Sequence, residues 1–113
     1  MFNFLNKKKE TPAEVVNIVE AEVVTADNKT LRVQNCVIWA IGTPGSEMDV
    51  KKVVDYVVRN AFNHVAENMS FAEIKENPQT FLSNAMEWAN LDRSLCGLKL
   101  IVVLGRGSRN NIV

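Results

Sequence analysis

The side chains able to do chemistry are few and scattered. His64 is the single histidine, and the two cysteines, Cys36 and Cys96, stand 60 positions apart. A thiol nucleophile needs an imidazole beside it as base, and neither thiol sits in a nucleophile motif. One histidine and two separated cysteines also lack the ligand spacing of a zinc site, so no metal is expected. His64 reads instead as a boundary residue on the flank of an amphipathic helix. The carboxylate pairs Glu20/Glu22 and Glu73/Glu76 are close in sequence. The first suits the solvated face of a strand and the second the first turn of a helix, rather than a general acid with its base. No catalytic residue is expected, and the chain reads as a non-enzyme.

The glycines build no phosphate cradle. Gly105-Arg106-Gly107 follows an apolar stretch but leads into no helix, so the helix N-terminus that would hold a phosphate is missing and no cofactor is expected. Thirteen basic and thirteen acidic side chains leave no net charge. Bulk electrostatics therefore recruits no nucleic acid, and no aromatic stacking platform accompanies Arg106 and Arg109. No small-molecule substrate is indicated. What remains is a cluster at the start: Phe2, Phe4 and Leu5, followed by Lys7, Lys8 and Lys9. Lysines near an anionic leaflet contribute about 1 kcal/mol each, and inserted apolar side chains add to that. This leader is the candidate for weak, reversible contact with an anionic membrane. Phenylalanine at position 2 excludes myristoylation as reinforcement.

The length of 113 residues suits one domain, and 47% hydrophobic with 23% charged residues is ordinary for a folded chain, which excludes wholesale disorder. Residues 1–13 read as a flexible leader without the apolar core of a secretory signal, 14–104 as the domain, and 105–113 as a flexible tail. A reducing compartment with both thiols as small buried hydrophobes follows, hence a cytoplasmic location, at most peripheral on the inner face of a membrane. The longest apolar runs, 36–41 and 100–104, are far short of the ~20 residues of a spanning helix.

The elements that position these groups can be read in order. Residues 14–25 are valine-rich and strand-like, but Val16/Ile18 and Val19/Val23 break strict alternation, which calls for a bulge or a change of buried face. Ala26-Asp27-Asn28-Lys29 is turn chemistry. Residues 30–41 are the return strand, with Leu31, Val33, Val37, Trp39 and Ile41 on one face; Ile38 and Ala40 make its second half apolar on both. Val50, Val53, Val54, Val57, Val58, Ala61, Phe62 and Val65 fit a helical stripe, with Asp49 as N-cap. Ser70 and Glu73 form a capping box, and Met69 and Ile74 stand at the staple positions. That short helix ends at Asn77, before Pro78 opens a third. Its apolar face includes Phe81, Leu82, Ala85, Met86, Trp88, Ala89, Leu95 and Cys96, with Asp92 intruding and Gly97 as the stop. Residues 98–104 form a last strand. The expected fold is α+β: about three strands packed against helices, in the order β-β-α-α(short)-α-β.

Three stretches resemble the stomatin/prohibitin/flotillin (SPFH, band 7) domain family. Val24-Thr25-Ala26-Asp27-Asn28-Lys29-Thr30-Leu31-Arg32-Val33 is similar to its strand, Thr-x-Asp-(Asn/Gly) turn and return strand. Asp49-Val50-Lys51-Lys52-Val53 with Val57-Val58-Arg59-Asn60-Ala61 is similar to the helix after its Asp-Pro step, with valine here in place of the proline. Asn68-Met69-Ser70-Phe71-Ala72-Glu73-Ile74 is similar to its Met-(Ser/Thr)-x-x-Glu-(Ile/Leu) link. A helix, Gly97 and an apolar strand follow, so the likeness spans about residues 14–104. It implies a scaffolding module that restrains membrane-protein or protease complexes, in a minimal form without the family's membrane anchor and coiled coil, such as an accessory or virus-encoded member. The expected partner is another protein or a second copy. The alternative is a soluble adaptor or inhibitor that binds a host protein without touching a membrane. Two readings of the sheet edges stand side by side: strand addition by a partner, because neither long strand has an interior proline and Lys99 is the only charge within 98–104, or cover of those edges by the chain's own flanking tails.

Overall fold

The computed structural model describes residues 14–103 and Ile112. The α+β order is as expected: β1 (Glu14–Val24), β2 (Thr30–Ile41), α1 (Val50–Glu67), α2 (Phe71–Glu76), α3 (Pro78–Ala89), one 3-10 turn (Arg93–Leu95) and β3 (Lys99–Val102). The three strands form an antiparallel sheet in the order β1-β2-β3, so β2 is the central strand. Ile112 is buried and bridges to Val33 on β2, so contact with the sheet extends past the expected boundary at residue 104.

The broken alternation in β1 has a paired cause. The ladder keeps one register from Glu14 opposite Ala40 to Val24 opposite Thr30, but Val19 and Asn35 drop out between Ile18–Cys36 and Glu20–Gln34. Asn35 takes a left-handed φ of 51°, which asparagine tolerates better than most residues. This break in the ladder, at the same level of both strands, flips both alternations together. Buried positions pass from Val16 and Ile18 to Ala21 and Val23 in β1, and from Leu31 and Val33 to Cys36, Ile38 and Ala40 in β2. Two expectations are thereby corrected. Val19 does not share the buried face of Val23 but is exposed, and Val37, Trp39 and Ile41 lie opposite the face that Leu31 and Val33 bury.

The helices cover one face of the sheet. α1 begins at Asp49, whose carboxylate accepts the Lys52 N–H at 3.3 Å, and it buries Val54, Val57, Val58, Ala61, Phe62, Val65 and Ala66. A helix so rich in valine is held by this packing more than by propensity. Phe62 stacks on Phe81 of α3 with ring centroids 5.8 Å apart, joining the two helices over the core. The capping box is present in full: the Glu73 N–H donates to Ser70 Oγ at 3.1 Å and the Ser70 N–H to Glu73 Oε1 at 2.8 Å. Ile74 is fully buried and Met69 packs against the core, as a staple requires.

The expected helix to Cys96 is corrected at its end. α3 stops at Ala89, and Asp92 caps the 3-10 turn by accepting the Ser94 N–H at 2.9 Å. Its carboxylate competes with the helical backbone, so the last turn unwinds around it. Cys96 then adopts a left-handed φ of 51° and is exposed, while Gly97 at φ 93° completes the reversal into β3.

Candidate interaction surfaces

The leader residues Phe2, Phe4, Leu5, Lys7, Lys8 and Lys9 lie outside the described residues. Within 14–103, the groups weighed for chemistry remain apart. Cys36 is buried on β2, and burial pushes its thiol up to about 12, whereas Cys96 stands exposed beyond the 3-10 turn. The expectation of two buried thiols is thus corrected for Cys96. His64 does not reach out as a base. Its ring stacks on Trp88 at 3.7 Å between centroids and 11° between planes. Glu20 pairs with Arg32 at 3.7 Å, and Glu73 is taken up by the capping box. No group of three or more His, Cys, Asp or Glu side chains among the described residues could hold a metal ion. No helix among them is long and apolar enough to cross a membrane.

The hairpin turn anchors the helical layer, a role that turn chemistry alone did not reveal. Thr25, the buried polar residue of this region, donates its hydroxyl to Asp27 Oδ1 at 2.6 Å and accepts the Lys29 N–H at 3.0 Å. Asp27 Oδ1 also accepts the Phe71 N–H at 2.9 Å, at the start of α2, and the Ala26 N–H donates to the Met69 carbonyl at 2.9 Å. The Thr25 hydroxyl first, and then the Phe71 N–H, hold the Asp27 carboxyl below its ordinary value. One carboxylate therefore ties the β1–β2 turn to the first turn of a helix 44 residues later.

The sheet edges are better guarded than the sequence indicates. On β3, the Leu100 N–H donates to Asn90 Oδ1 at 2.7 Å, and Asn90 Nδ2 donates to the Leu100 carbonyl at 2.9 Å. A side-chain amide thus takes the place of a neighbouring strand at that point. On β1, Arg59 donates to the Glu20 carbonyl at 2.9 Å while its guanidinium also holds Asp55 at 2.6 Å, and Lys51 pairs with Glu14 at 3.6 Å. Asn90 carried no sequence signal, because the expected helix ran through it to Cys96, whereas α3 stops at Ala89.

The sheet face turned away from the helices is polar at the hairpin end, where Glu20, Glu22 and Arg32 lie, and largely apolar at the other end, where Asn17 and Lys99 are its polar members. Val15 stands opposite Trp39, and Trp39 opposite Ile101, in one row across all three strands. Val37 accepts the Val103 N–H at 2.9 Å in the next row, and Ile41 faces Lys99. Val15 is 46% and Val103 39% exposed, and Val37, Trp39, Ile41 and Ile101 are half-buried. Antiparallel sheets with a solvated face ordinarily alternate apolar-in and polar-out. Here both faces of the β2–β3 half are apolar. A second surface lies on the helices, where Trp88 and Leu91 are 45% and 74% exposed. Comparison with known proteins finds no family model and no curated protein that matches the chain.

Proposed function

We propose that the chain is a non-catalytic interaction and scaffolding module of the SPFH type, acting on membrane-protein or protease complexes from the cytoplasmic side. In this reading Phe2, Phe4, Leu5, Lys7, Lys8 and Lys9 give weak contact with an anionic membrane. The partner, another protein or a second copy, packs against the apolar face formed by Val15, Val37, Trp39, Ile41, Ile101 and Val103. That face is the observation that carries the proposal, because contiguous apolar surface opposite a closed core marks a contact site. The guarded edges favour packing on the face over strand addition. Co-sedimentation with anionic vesicles, for the full chain and for a K7E/K8E/K9E variant, tests the membrane part; equal recovery of both removes it. The second reading is a soluble adaptor or inhibitor that uses the same apolar face without the leader. It predicts partner binding that ignores both vesicles and the lysine substitutions.

A further inference from the structure

The exposed helical surface has a shape and a charge of its own. Along α3, Thr80, Asn84, Glu87 and Trp88 fall on one stripe, and Leu91 extends it past the helix end. His64 and Asn68 of α1 wall one side of a hollow of about 390 Å³ that Trp88, Leu91 and Glu87 complete. Met69 joins this hollow to a second of about 320 Å³, walled by Glu73 and Glu76 of α2. The result is a shallow groove with an apolar floor at Trp88 and Leu91 and an acidic rim. Glu76 and Glu87 are exposed and make no ion pair among the described residues.

Charge is distributed unevenly along the chain. Residues 14–103 carry twelve acidic and eight basic side chains, a net charge of −4, whereas residues 1–13 carry three lysines and one glutamate. The segment Phe2–Lys9 therefore combines what the groove lacks: two phenylalanines and a leucine for the apolar floor, and three lysines for the acidic rim. Its reach is adequate. The groove lies at His64–Met69, about 20–27 Å along α1 from Lys51, which pairs with Glu14 where β1 begins. The nine residues from Leu5 to the start of β1 extend up to about 30 Å.

We propose that the groove between α1, α2 and α3 is the docking site of the chain's own segment Phe2–Lys9. The apolar side chains of that segment complement Trp88 and Leu91, and its lysines complement the charge of Glu76 and Glu87. This contact is independent of the sheet face and makes the leader unavailable to a membrane while it is docked. The test uses the full chain with Trp39→Phe, which leaves Trp88 as the sole indole. Acrylamide quenching of Trp88 is measured for this chain, for K7E/K8E/K9E, for E76K/E87K, and for all five substitutions together. Each reversal alone raises the quenching constant about twofold by repelling the segment, and the combined reversal restores the original value by re-pairing the charges. A Phe4→Ser variant, outside the described core, raises it without changing any charge, and circular dichroism melts verify that each variant is folded. Equal quenching in all of them, or no restoration in the combined variant, overturns the proposal. A leader effect that appears only when anionic vesicles are added overturns it in favour of lipid as the occupant.

Discussion

Replacing Asn90 by alanine removes two hydrogen bonds at once, from a side chain that serves both backbone groups of Leu100. Leu100 is fully buried, so water does not readily take over the lost contacts. At about 0.5–1.5 kcal/mol for each bond, and more where a buried group is left unmade, the substitution should cost about 2–3 kcal/mol. For a domain of this size, about 4–8 °C of melting temperature accompanies each kcal/mol, which gives a fall of roughly 10–20 °C. Asn90→Asp separates the two bonds. The new carboxylate still accepts the Leu100 N–H but faces the Leu100 carbonyl with no proton to donate. Protonation restores that donor, so the folded pKa of the new carboxyl lies above its unfolded value and the variant regains stability as pH falls. Thermal melts followed by circular dichroism from neutral to acidic pH read both effects. If Asn90→Ala melts within about 2 °C of the parent, the amide is not a stand-in strand and the reasoning fails.

Ser70→Ala should cost about 1 kcal/mol by orphaning the Glu73 N–H at the start of α2, read as a lower urea midpoint at unchanged slope. Asp27 has a carboxyl held below its ordinary value, so its contribution is complete above the unfolded pKa near 3.8 and is lost as pH falls through the lower folded pKa. Asp27→Asn should therefore melt below the parent at neutral pH, with the gap closing only in strong acid; a gap independent of pH contradicts the assignment. Cys96 should react with a thiol reagent in the folded protein, whereas Cys36, buried and pushed up to about 12, reacts only on unfolding. Two equivalents labelled rapidly in native buffer would contradict this.

The order of elements was legible because it rests on local signals. The Ser70/Glu73 box, the valine stripe of α1 and the Asp27-Asn28 turn each specify their backbone without help from distant residues. The slip in β1 was visible as broken alternation, but its answer lay in the partner strand: Val19 and Asn35 leave the ladder together, a non-local event that neither strand announces alone. Trp88 fitted the apolar stripe of α3 and yet stands 45% exposed, at the edge of the face that buries Phe81, Leu82, Ala85, Met86 and Ala89, with its ring stacked on His64 of α1. The surfaces were the least legible. Asn90 on Leu100, Asp27 on Phe71 and the row Val15–Trp39–Ile101 all join residues whose spacing carries no pattern.

The apolar outer face of the sheet is the claim on which the functional reading turns, and site-specific photocrosslinking in the native host tests it most directly. A photoreactive amino acid is placed at Ile101, on the β3 side of the face, and in a second chain at Lys52 on the exposed side of α1. The account predicts a discrete crosslinked species from position 101, absent from position 52 and lost when Val15→Lys and Val103→Lys place charge within the face. A chain that stays uncrosslinked at 101, or crosslinks equally from both positions, would contradict it.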